Sequence, residues 1–237
     1  MCLLVGVRGG SVPAVLIARS MHPQWLSNAY LVAAGPGGAA VFVDSGAPLE
    51  PLHAEVERHD LRVTHLLTTH ADPDHVAGDD ELRERYGVEV VKGPLDLDGL
   101  RFEALRTPGH KDDHLTFVLD GGVAFTGDVL FRDAVGGGRD AATIRRSVMD
   151  VVMKLPPETR VLPGHTGETT IGREWEENPF VRVWRGVEPE GAERVRVGGR
   201  DATLVVWSPD YDGKGKALVR FDDGSESIVG GSRVERR

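Results

Sequence analysis

Four side chains that can bind a metal ion fall within six consecutive positions of the sequence. The stretch "LLTTHADPDHVAG", residues 66–78, contains His70, Asp72, Asp74 and His75. Imidazole nitrogens and carboxylate oxygens are common ligands of zinc, iron and manganese. Carboxylates held this close together repel each other unless cations lie between them. The stretch therefore predicts a metal site.

Three further segments carry the same chemistry. His110 lies in "TPGHKDDH", Asp128 in "FTGDVLF" and His165 in "LPGHTGETTIG". Each follows a strand-like run and stands next to a glycine, which lets the backbone turn and direct the side chain inward. Catalytic side chains are well placed on loops that a rigid sheet holds in position. We therefore expect all of these residues to meet along one edge of a layered αβ domain.

The elements that would position these residues alternate between strand-like and helix-like segments. Hydrophobic periodicity and turn residues separate the two kinds of segment. Strands are predicted at 14–18, 29–34, 40–44, 63–67, 88–91, 101–106, 115–119, 122–125 and 159–162. Helices are predicted at 48–60, 79–87 and about 141–154.

The character of the sequence changes after Pro179. From "ERVRV" (193–197) to "SRVER" (232–236) only strand patterns occur, and Asp222-Asp223-Gly224 is typical of a hairpin turn. We predict a catalytic domain at 1–180 and a small β-rich domain or extension at 181–237. The second part is expected to form a dimer contact or to cover the first.

Composition and charge exclude several classes of protein. The formal net charge of −9 argues against a general nucleic-acid binder, which needs a basic face. Cys2 is the only cysteine, so the chain offers neither an internal disulfide nor a cluster of thiolate ligands. The N-terminal segment lacks the long apolar run of a signal peptide or membrane span, so we expect a cytoplasmic protein with no membrane partner.

The motifs together resemble the metallo-β-lactamase fold superfamily, in its glyoxalase II-like branch of hydrolases. The resemblance covers residues 13 to about 180 and is carried by "NAYLV", "VDSG", "THADPDHVAG", "TPGH", "FTGDVLF" and "RVLPGHTGETTIGREWEENPF". It implies an αββα sandwich of two mixed sheets with metals at one edge. To this α/β fold we add a small, all-β, barrel-like C-terminal extension.

The resemblance also implies a ligand set. The first metal would be bound by His70, the residue at 72, and His110, and the second by Asp74, His75 and His165, with Asp128 bridging both. Asp72 stands where the family usually has histidine. A carboxylate oxygen has a reach similar to that of a histidine Nδ1, and flavodiiron proteins resemble this chain in carrying a carboxylate there. The alternatives are that Asp72 contacts a ligand instead, or that the first site is vacant.

The expected function is that of a binuclear metallohydrolase. The resemblance implies two divalent ions (zinc, iron or manganese, or a mixed pair) and a bridging hydroxide that attacks a small-molecule ester, thioester or lactone. Asp128 would fix the metal separation and Asp74 would orient the hydroxide. The extra carboxylate of Asp72 should weaken the metals as Lewis acids and favour iron or manganese. The resemblance is also compatible with a homodimer.

Two other functions stay open at this point. A single iron held by His70, His110 and Asp128 would resemble persulfide dioxygenases, although the loop after Asp128 lacks their "GRTD". A protein that keeps the fold but only binds its ligand is the other alternative. Glyoxalase II itself is not expected, because that enzyme recognises glutathione with a helical C-terminal domain and this chain has β-rich sequence there.

Overall fold

Two six-stranded mixed sheets form the first part of the protein. The computed structural model describes residues 3–5, 15–97 and 99–236. The strands of the first sheet, in the order β1 to β6, are Leu3–Val5, Val15–Met21, Asn28–Ala33, Ala39–Val43, Arg62–Leu67 and Glu89–Val91. The second sheet has the order β12-β11-β10-β9-β8-β7, and β7 to β12 are Leu95–Leu97, Leu100–Arg106, Leu115–Leu119, Val123–Gly127, Arg160–Pro163 and Thr169–Thr170.

Alternating side chains of the strands give each sheet two apolar faces. In β2, Ile17 packs in the cluster between the two sheets, whereas Leu16 packs on the outer face. In β11, Leu162 points inward and Val161 outward in the same way. Since strand side chains alternate between faces, both faces of each sheet need cover. Helices supply it, which makes the αββα order of layers.

In the part of the chain that the structure describes, six α-helices lie among these strands. They are α1 Glu50–Arg58, α2 Pro73–Val76, α3 Asp79–Tyr86, α4 Ala141–Arg146, α5 Ile171–Glu177 and α6 Pro179–Trp184. Leu52 and Val56 of α1 and Leu82 of α3 pack on the first sheet. Ile144 of α4, Ile171 of α5 and Phe180 of α6 pack with Val161 of the second sheet. Fully burying such a side chain stabilises the fold by about 1.5–3 kcal/mol.

The predicted helix at 141–154 is not uniform. An α-helix ends at Arg146, a π-helical turn follows at Ser147–Val151, and a 3₁₀ turn covers Val152–Lys154. Asp140 caps the start by accepting a hydrogen bond from the Thr143 N–H. Pro156 and Pro157 follow, and proline cannot continue a helix because it lacks an N–H and clashes with the preceding turn.

The C-terminal strands form a third, antiparallel sheet with the order β16-β15-β14-β13-β17. Its strands, β13 to β17, are Glu193–Val197, Arg200–Ser208, Lys216–Phe221, Glu226–Gly230 and Val234–Arg236. The predicted turn at Asp222–Gly224 connects β15 and β16, and Gly224 closes it with φ 82° and an N–H donated to the Phe221 carbonyl. Within the described residues, no helix has the length and apolar character needed to cross a membrane.

The third sheet packs directly against the first part of the protein. Val205, Leu218 and Ile228 join the apolar cluster that contains α4, α5 and α6. Gly138 also forms an isolated antiparallel bridge with Ile228 of β16. The predicted boundary between residues 180 and 181 falls inside α6, so the division of the chain into 1–180 and 181–237 stays a prediction.

Candidate metal centre

The loops that follow four strands bring the predicted ligands to one edge of the sandwich. His70 follows β5, Asp72 is the residue just before α2, and Asp74 and His75 lie within this single helical turn. The other three residues, His110, Asp128 and His165, follow β8, β10 and β11. The seven side chains form three overlapping groups whose ligand atoms lie within 4.8 Å of one another: His70, Asp72 and His110; His70, His75 and Asp128; Asp74, His75 and His165.

The first group is centred on the Asp72 carboxylate. Asp72 Oδ2 lies 3.2 Å from His110 Nε2 and 3.7 Å from His70 Nε2. Two atoms that each lie about 2.1 Å from a tetrahedral zinc ion are roughly 3.4 Å apart. The spacing of these three side chains is therefore suitable for one metal ion.

The second group is centred on Asp74. Asp74 Oδ2 lies 3.5 Å from His165 Nε2 and 3.9 Å from His75 Nε2. Asp128 lies between the two groups: its Oδ1 is 3.3 Å from His75 Nε2, and its Oδ2 is 3.3 Å from His165 Nε2 and 3.8 Å from His110 Nε2. One carboxylate thus faces histidines of both groups.

Three buried polar atoms at the centre have no hydrogen-bond partner among the described residues. They are His70 Nε2, His75 Nε2 and Asp128 Oδ1, and they come from one group of converging side chains. His75 Nε2 and Asp128 Oδ1 lie 3.3 Å apart, but not in the geometry of a hydrogen bond. Leaving a buried polar atom unpaired costs about 1–3 kcal/mol, so several of them facing one point need an explanation. Bound cations would satisfy all three atoms, and the residues present therefore fit a metal centre.

The other ring nitrogen of each histidine is held by the protein. Nδ1 of the four rings contacts the Thr69 hydroxyl at 3.1 Å (His70), the Asp44 carboxylate at 2.8 Å (His75), the Gly137 carbonyl at 2.9 Å (His110) and the Trp25 carbonyl at 3.1 Å (His165). Such contacts fix the ring orientation and leave the opposite nitrogen free for a metal. All four Nε2 atoms point to the cluster for this reason.

Asp44 connects the two halves of the "HADPDH" segment. Its carboxylate accepts hydrogen bonds from the Thr69 N–H and hydroxyl and from His75 Nδ1–H, each at 2.8 Å. Its backbone has φ 53°, a left-handed conformation that is uncommon outside glycine and concentrates at functional sites. Asp44 therefore orients His75 directly and fixes the residue before His70.

His114 is close to the centre but both of its ring nitrogens are occupied by the protein. Its Nε2 accepts a hydrogen bond from the Asp128 N–H at 2.9 Å, so Nδ1 carries the proton and donates to the Thr107 hydroxyl at 2.9 Å. Burial lowers the pKa of His114 to about 3, which keeps the ring neutral. His114 positions Asp128 and is not available as a ligand.

The electrostatics of the centre favour added positive charge. Burial lowers the pKa of His70 to about 2, so this ring offers a free lone pair. Burial alone would also lower the pKa of His75, but Asp128 and Asp44 outweigh burial and hold it well above its usual range. Burial would raise the pKa of Asp128, yet the charges of His75 and His165 hold it well below. A metal ion would supply the charge that these carboxylates attract.

Lys111 offsets the unusual carboxylate at position 72. Its Nζ lies 2.6 Å from Asp72 Oδ1, on the opposite side of the carboxylate from the oxygen that faces His70 and His110. The hydrogen bond to Asp72 raises the pKa of the Lys111 ammonium. The negative charge that Asp72 adds relative to histidine is therefore balanced by the residue that follows His110.

The C-terminal sheet reaches the metal centre. Tyr211, in the turn between β14 and β15, stacks on His165 with ring centroids 4.1 Å apart and an angle of 3°. The Gly137 carbonyl that holds His110 is next to Gly138, which pairs with Ile228 of β16. One candidate ligand histidine of each group, His110 and His165, therefore has contacts that involve this sheet or its neighbour Gly138.

Several of these residues were not assigned a role from the sequence. Asp44 lies in "VDSG", a motif that was noticed without a function, and Lys111 lies beside His110 in "TPGHKDDH". The sequence around Tyr211 does not indicate a role at the site, because only the packing of the third sheet brings its ring to His165. Asn178 of "ENPF" has a structural role, since its side chain caps α6 and donates to the Ala134 carbonyl.

Known proteins are similar to this chain in sequence. The family model described as Metallo-beta-lactamase superfamily matches residues 22–98. Hydroxyacylglutathione hydrolase GloC of Haemophilus influenzae is 30% identical over 184 residues, which cover 60% of this chain and 87% of that protein. The chain therefore belongs to the metallo-β-lactamase superfamily.

Two solved structures are similar to this one. ETHE1 from Myxococcus xanthus has a TM-score of 0.62 and 29% identity, and the match covers 70% of this chain and 84% of that chain. TTHA1623 in a di-iron-bound form has a TM-score of 0.58 and 32% identity, over 69% of this chain and 99% of that chain. The predictions of the family, the mixed αβ sandwich and an enzyme superfamily are confirmed.

Proposed function

We propose that this protein is a binuclear metal-dependent hydrolase of a small ester, thioester or lactone. The observation that supports this best is the set of unpaired, buried atoms His70 Nε2, His75 Nε2 and Asp128 Oδ1 between two groups of ligand side chains. A single ion would leave one of the two groups without a cation. The relatives named hydroxyacylglutathione hydrolase and the di-iron-bound TTHA1623 are in accord with this proposal.

The proposed ligands divide between the two groups. His70, Asp72 and His110 would hold one ion, Asp74, His75 and His165 the other, and Asp128 would contact both. Divalent ions bound there would supply a nucleophile made from water at neutral pH and positive charge that stabilises an oxyanion. We propose the same seven residues as were expected from the sequence.

The protein residues around the centre have separate tasks in this proposal. Asp128 is almost fully buried and is fixed by the His114 ring, so it defines the spacing of the two groups. The Asp74 side chain is 28% exposed, so it can also accept a hydrogen bond from the attacking water. The Tyr211 ring stacks on His165 and shields one face of it from water.

A second candidate is a mononuclear iron enzyme of the persulfide dioxygenase type. The similarity to ETHE1 favours it, as does Lys111, which would draw Asp72 away from a metal. The iron would then be held by His70, His110 and Asp128. The second group gives no support to this candidate, because the buried Nε2 of His75 would stay unpaired.

The deciding experiment is a measurement of metal per chain on protein purified without added metal. We expect two zinc, iron or manganese ions per chain and metal-dependent hydrolysis of simple esters, thioesters or lactones. Stripping the metal with a chelator should abolish hydrolysis and lower the melting temperature, because a ligand that binds only the folded state stabilises it. One iron per chain together with oxygen uptake on glutathione persulfide would overturn the proposal in favour of the second candidate.

The role of Asp72 is tested with two substitutions. Asp72→His should retain two ions per chain, whereas Asp72→Ala should lower the occupancy of one site. Asp113→Ala is the control, since Asp113 is an exposed carboxylate that pairs with Lys92 in the loop that carries His110. Full occupancy in Asp72→Ala would show that Asp72 is not a ligand.

A further inference from the structure

A cavity of about 700 Å³ lies beside the candidate metal centre and is lined in part by the C-terminal sheet. Asp72, His110 and Asp128 line the end that holds the proposed ligands. Phe221 of β15 and Arg233, from the turn between β16 and β17, also line the cavity. A space of this size accommodates a small-molecule substrate, not only a water molecule.

The charge of this cavity is opposite to that of the whole chain. The formal net charge of the protein is −9. The lining nevertheless has five cationic side chains: Lys111, Arg139, Arg200, Lys216 and Arg233. Its two carboxylates, Asp72 and Asp128, both belong to the proposed ligand set. A cleft lined by one sign of charge concentrates ligands of the opposite sign.

Three of the five cations are neutralised by the protein. Lys111 pairs with Asp72 at 2.6 Å, Arg200 with Asp223 at 2.8 Å, and the buried Lys216 with Asp210 at 2.9 Å. These ion pairs fix the cavity wall, and they leave little positive charge from these residues for a ligand. They are therefore not the principal anion-binding groups.

Arg139 and Arg233 differ from these three cationic residues in their contacts. Neither guanidinium has an ion pair or hydrogen bond within residues 15–97 and 99–236, although four other arginines of the third sheet, Arg194, Arg196, Arg220 and Arg236, all pair with carboxylates. Arg139 comes from the loop before α4 and Arg233 from the third sheet. A guanidinium is always charged and its fork of donors matches carboxylate and phosphate.

Apolar side chains lie in the same cavity as the cations. Val197, Phe221, Ile228 and Val229 of the third sheet line it, as does Phe131, whose ring contacts His165 with centroids 5.7 Å apart. A hydrocarbon chain packed here would lose contact with water while its charged end stayed near a guanidinium. The cavity thus suits a molecule that has both an apolar part and an anionic group.

We propose that Arg139 and Arg233 form a subsite for a carboxylate or phosphate group of the substrate. The subsite makes the C-terminal sheet the element that determines substrate specificity. The assignment of this molecule as a substrate rests on the proposed function, but the binding of the anion does not require hydrolysis. Binding can therefore be tested separately from turnover.

The test uses three anilides of identical chain length and isothermal titration calorimetry with the metal-loaded protein. The probes are N-phenylglutaramic acid, N-phenyl-4-phosphonobutanamide, and the neutral primary amide of the first. We expect at least one anionic probe to bind about tenfold more tightly than the neutral amide, and the carboxylate and phosphonate arms show which anion is preferred. Equal affinity for all three probes would overturn the proposal.

The variants are Arg139→Met and Arg233→Met, with Arg194→Met as the matched control on the third sheet outside the cavity. Each of the first two should weaken the anionic probe roughly fivefold and leave the neutral amide unchanged, whereas the control should change neither. Arg233→Lys should restore part of the loss, and thermal melts check that every variant is folded. An anion preference that survives in the Arg139→Met/Arg233→Met double variant would place the anion on the metals and refute the subsite.

Hydrolysis assays on the same protein separate the two proposals. Loss of the anion preference on substitution, in a protein that hydrolyses no ester, thioester or lactone, would refute the proposed function and support the subsite. Hydrolysis of such a substrate, together with equal affinity for charged and neutral probes, would support the proposed function and refute the subsite.

Discussion

The replacement of Asp44 by asparagine tests how the metal ligands are held in place. The Asp44 carboxylate is buried and accepts three hydrogen bonds: Oδ1 from the Thr69 N–H, and Oδ2 from the Thr69 hydroxyl and from His75 Nδ1–H. Asparagine has the same shape, but one of its two terminal atoms is an NH₂ donor. In either orientation that NH₂ faces a buried N–H, of His75 or of the residue before His70.

The expected magnitude follows from these contacts. A buried donor left without an acceptor costs about 1–3 kcal/mol. For a protein of this size that corresponds to a fall in melting temperature of roughly 2–4 °C for each kcal/mol. Loss of the partner of a metal-binding histidine typically weakens metal binding by about 10–100-fold. We therefore expect Asp44→Asn to remain folded, melt several degrees lower and bind its metals at least about tenfold more weakly.

The assay is competition for metal against a chromophoric chelator, combined with a thermal melt of the metal-free protein. Asp113→Asn is the control, because Asp113 is a surface carboxylate paired with Lys92 and far less buried than Asp44. The control should bind metal as the wild-type protein does. Metal affinity in Asp44→Asn that matches the control would refute the argument that Asp44 orients the ligands.

Two further predictions concern the surroundings of the ligands. In Gly164→Ala the new Cβ would lie 2.3 Å from Asp128 Oδ1, so we expect loss of metal and a destabilisation of about 1–3 kcal/mol. The control is Gly167→Ala, which has open space around it in the same loop and should behave as the wild-type protein does. Normal metal content in Gly164→Ala would contradict the prediction. Tyr211→Ala removes the ring stacked on His165 and should lower the free energy of unfolding by about 0.5–1.5 kcal/mol beyond the effect of lost burial. Tyr211→Phe keeps the stacked ring. Equal melting temperatures for the two variants would show that stacking is unimportant.

The strands and the candidate ligands could be predicted because their signals are local. His110, Asp128 and His165 each follow a glycine at the end of an apolar run, and the structure brings them together with His70 and His75. The order of the motifs along the chain was sufficient to recognise the family. Predicted strands such as 115–119 coincide with the observed β9, Leu115–Leu119.

The other features of the site depend on contacts between segments that are distant in the sequence. Nothing around Tyr211 in the sequence indicates that its ring stacks on His165. The cationic character of the cavity likewise depends on the fold, which brings Arg139 and Arg233 to the lining of one cavity. The short helices α5 and α6 were also not predicted. Each depends on a cap, the Thr170 hydroxyl or the Asn178 side chain, more than on a long apolar stripe.

The bridge between Gly138 and Ile228 has a consequence for the exchange of metals. The C-terminal sheet pairs with Gly138, next to the Gly137 carbonyl that contacts His110, and the Tyr211 ring beside this sheet covers His165. We therefore expect both groups of candidate ligands to become accessible when this sheet opens. Small sheets open by local unfolding at a lower free energy than the whole protein. The rates of metal release and uptake should accordingly follow the rate at which the C-terminal sheet opens locally. Amide hydrogen exchange of β16 would measure that opening.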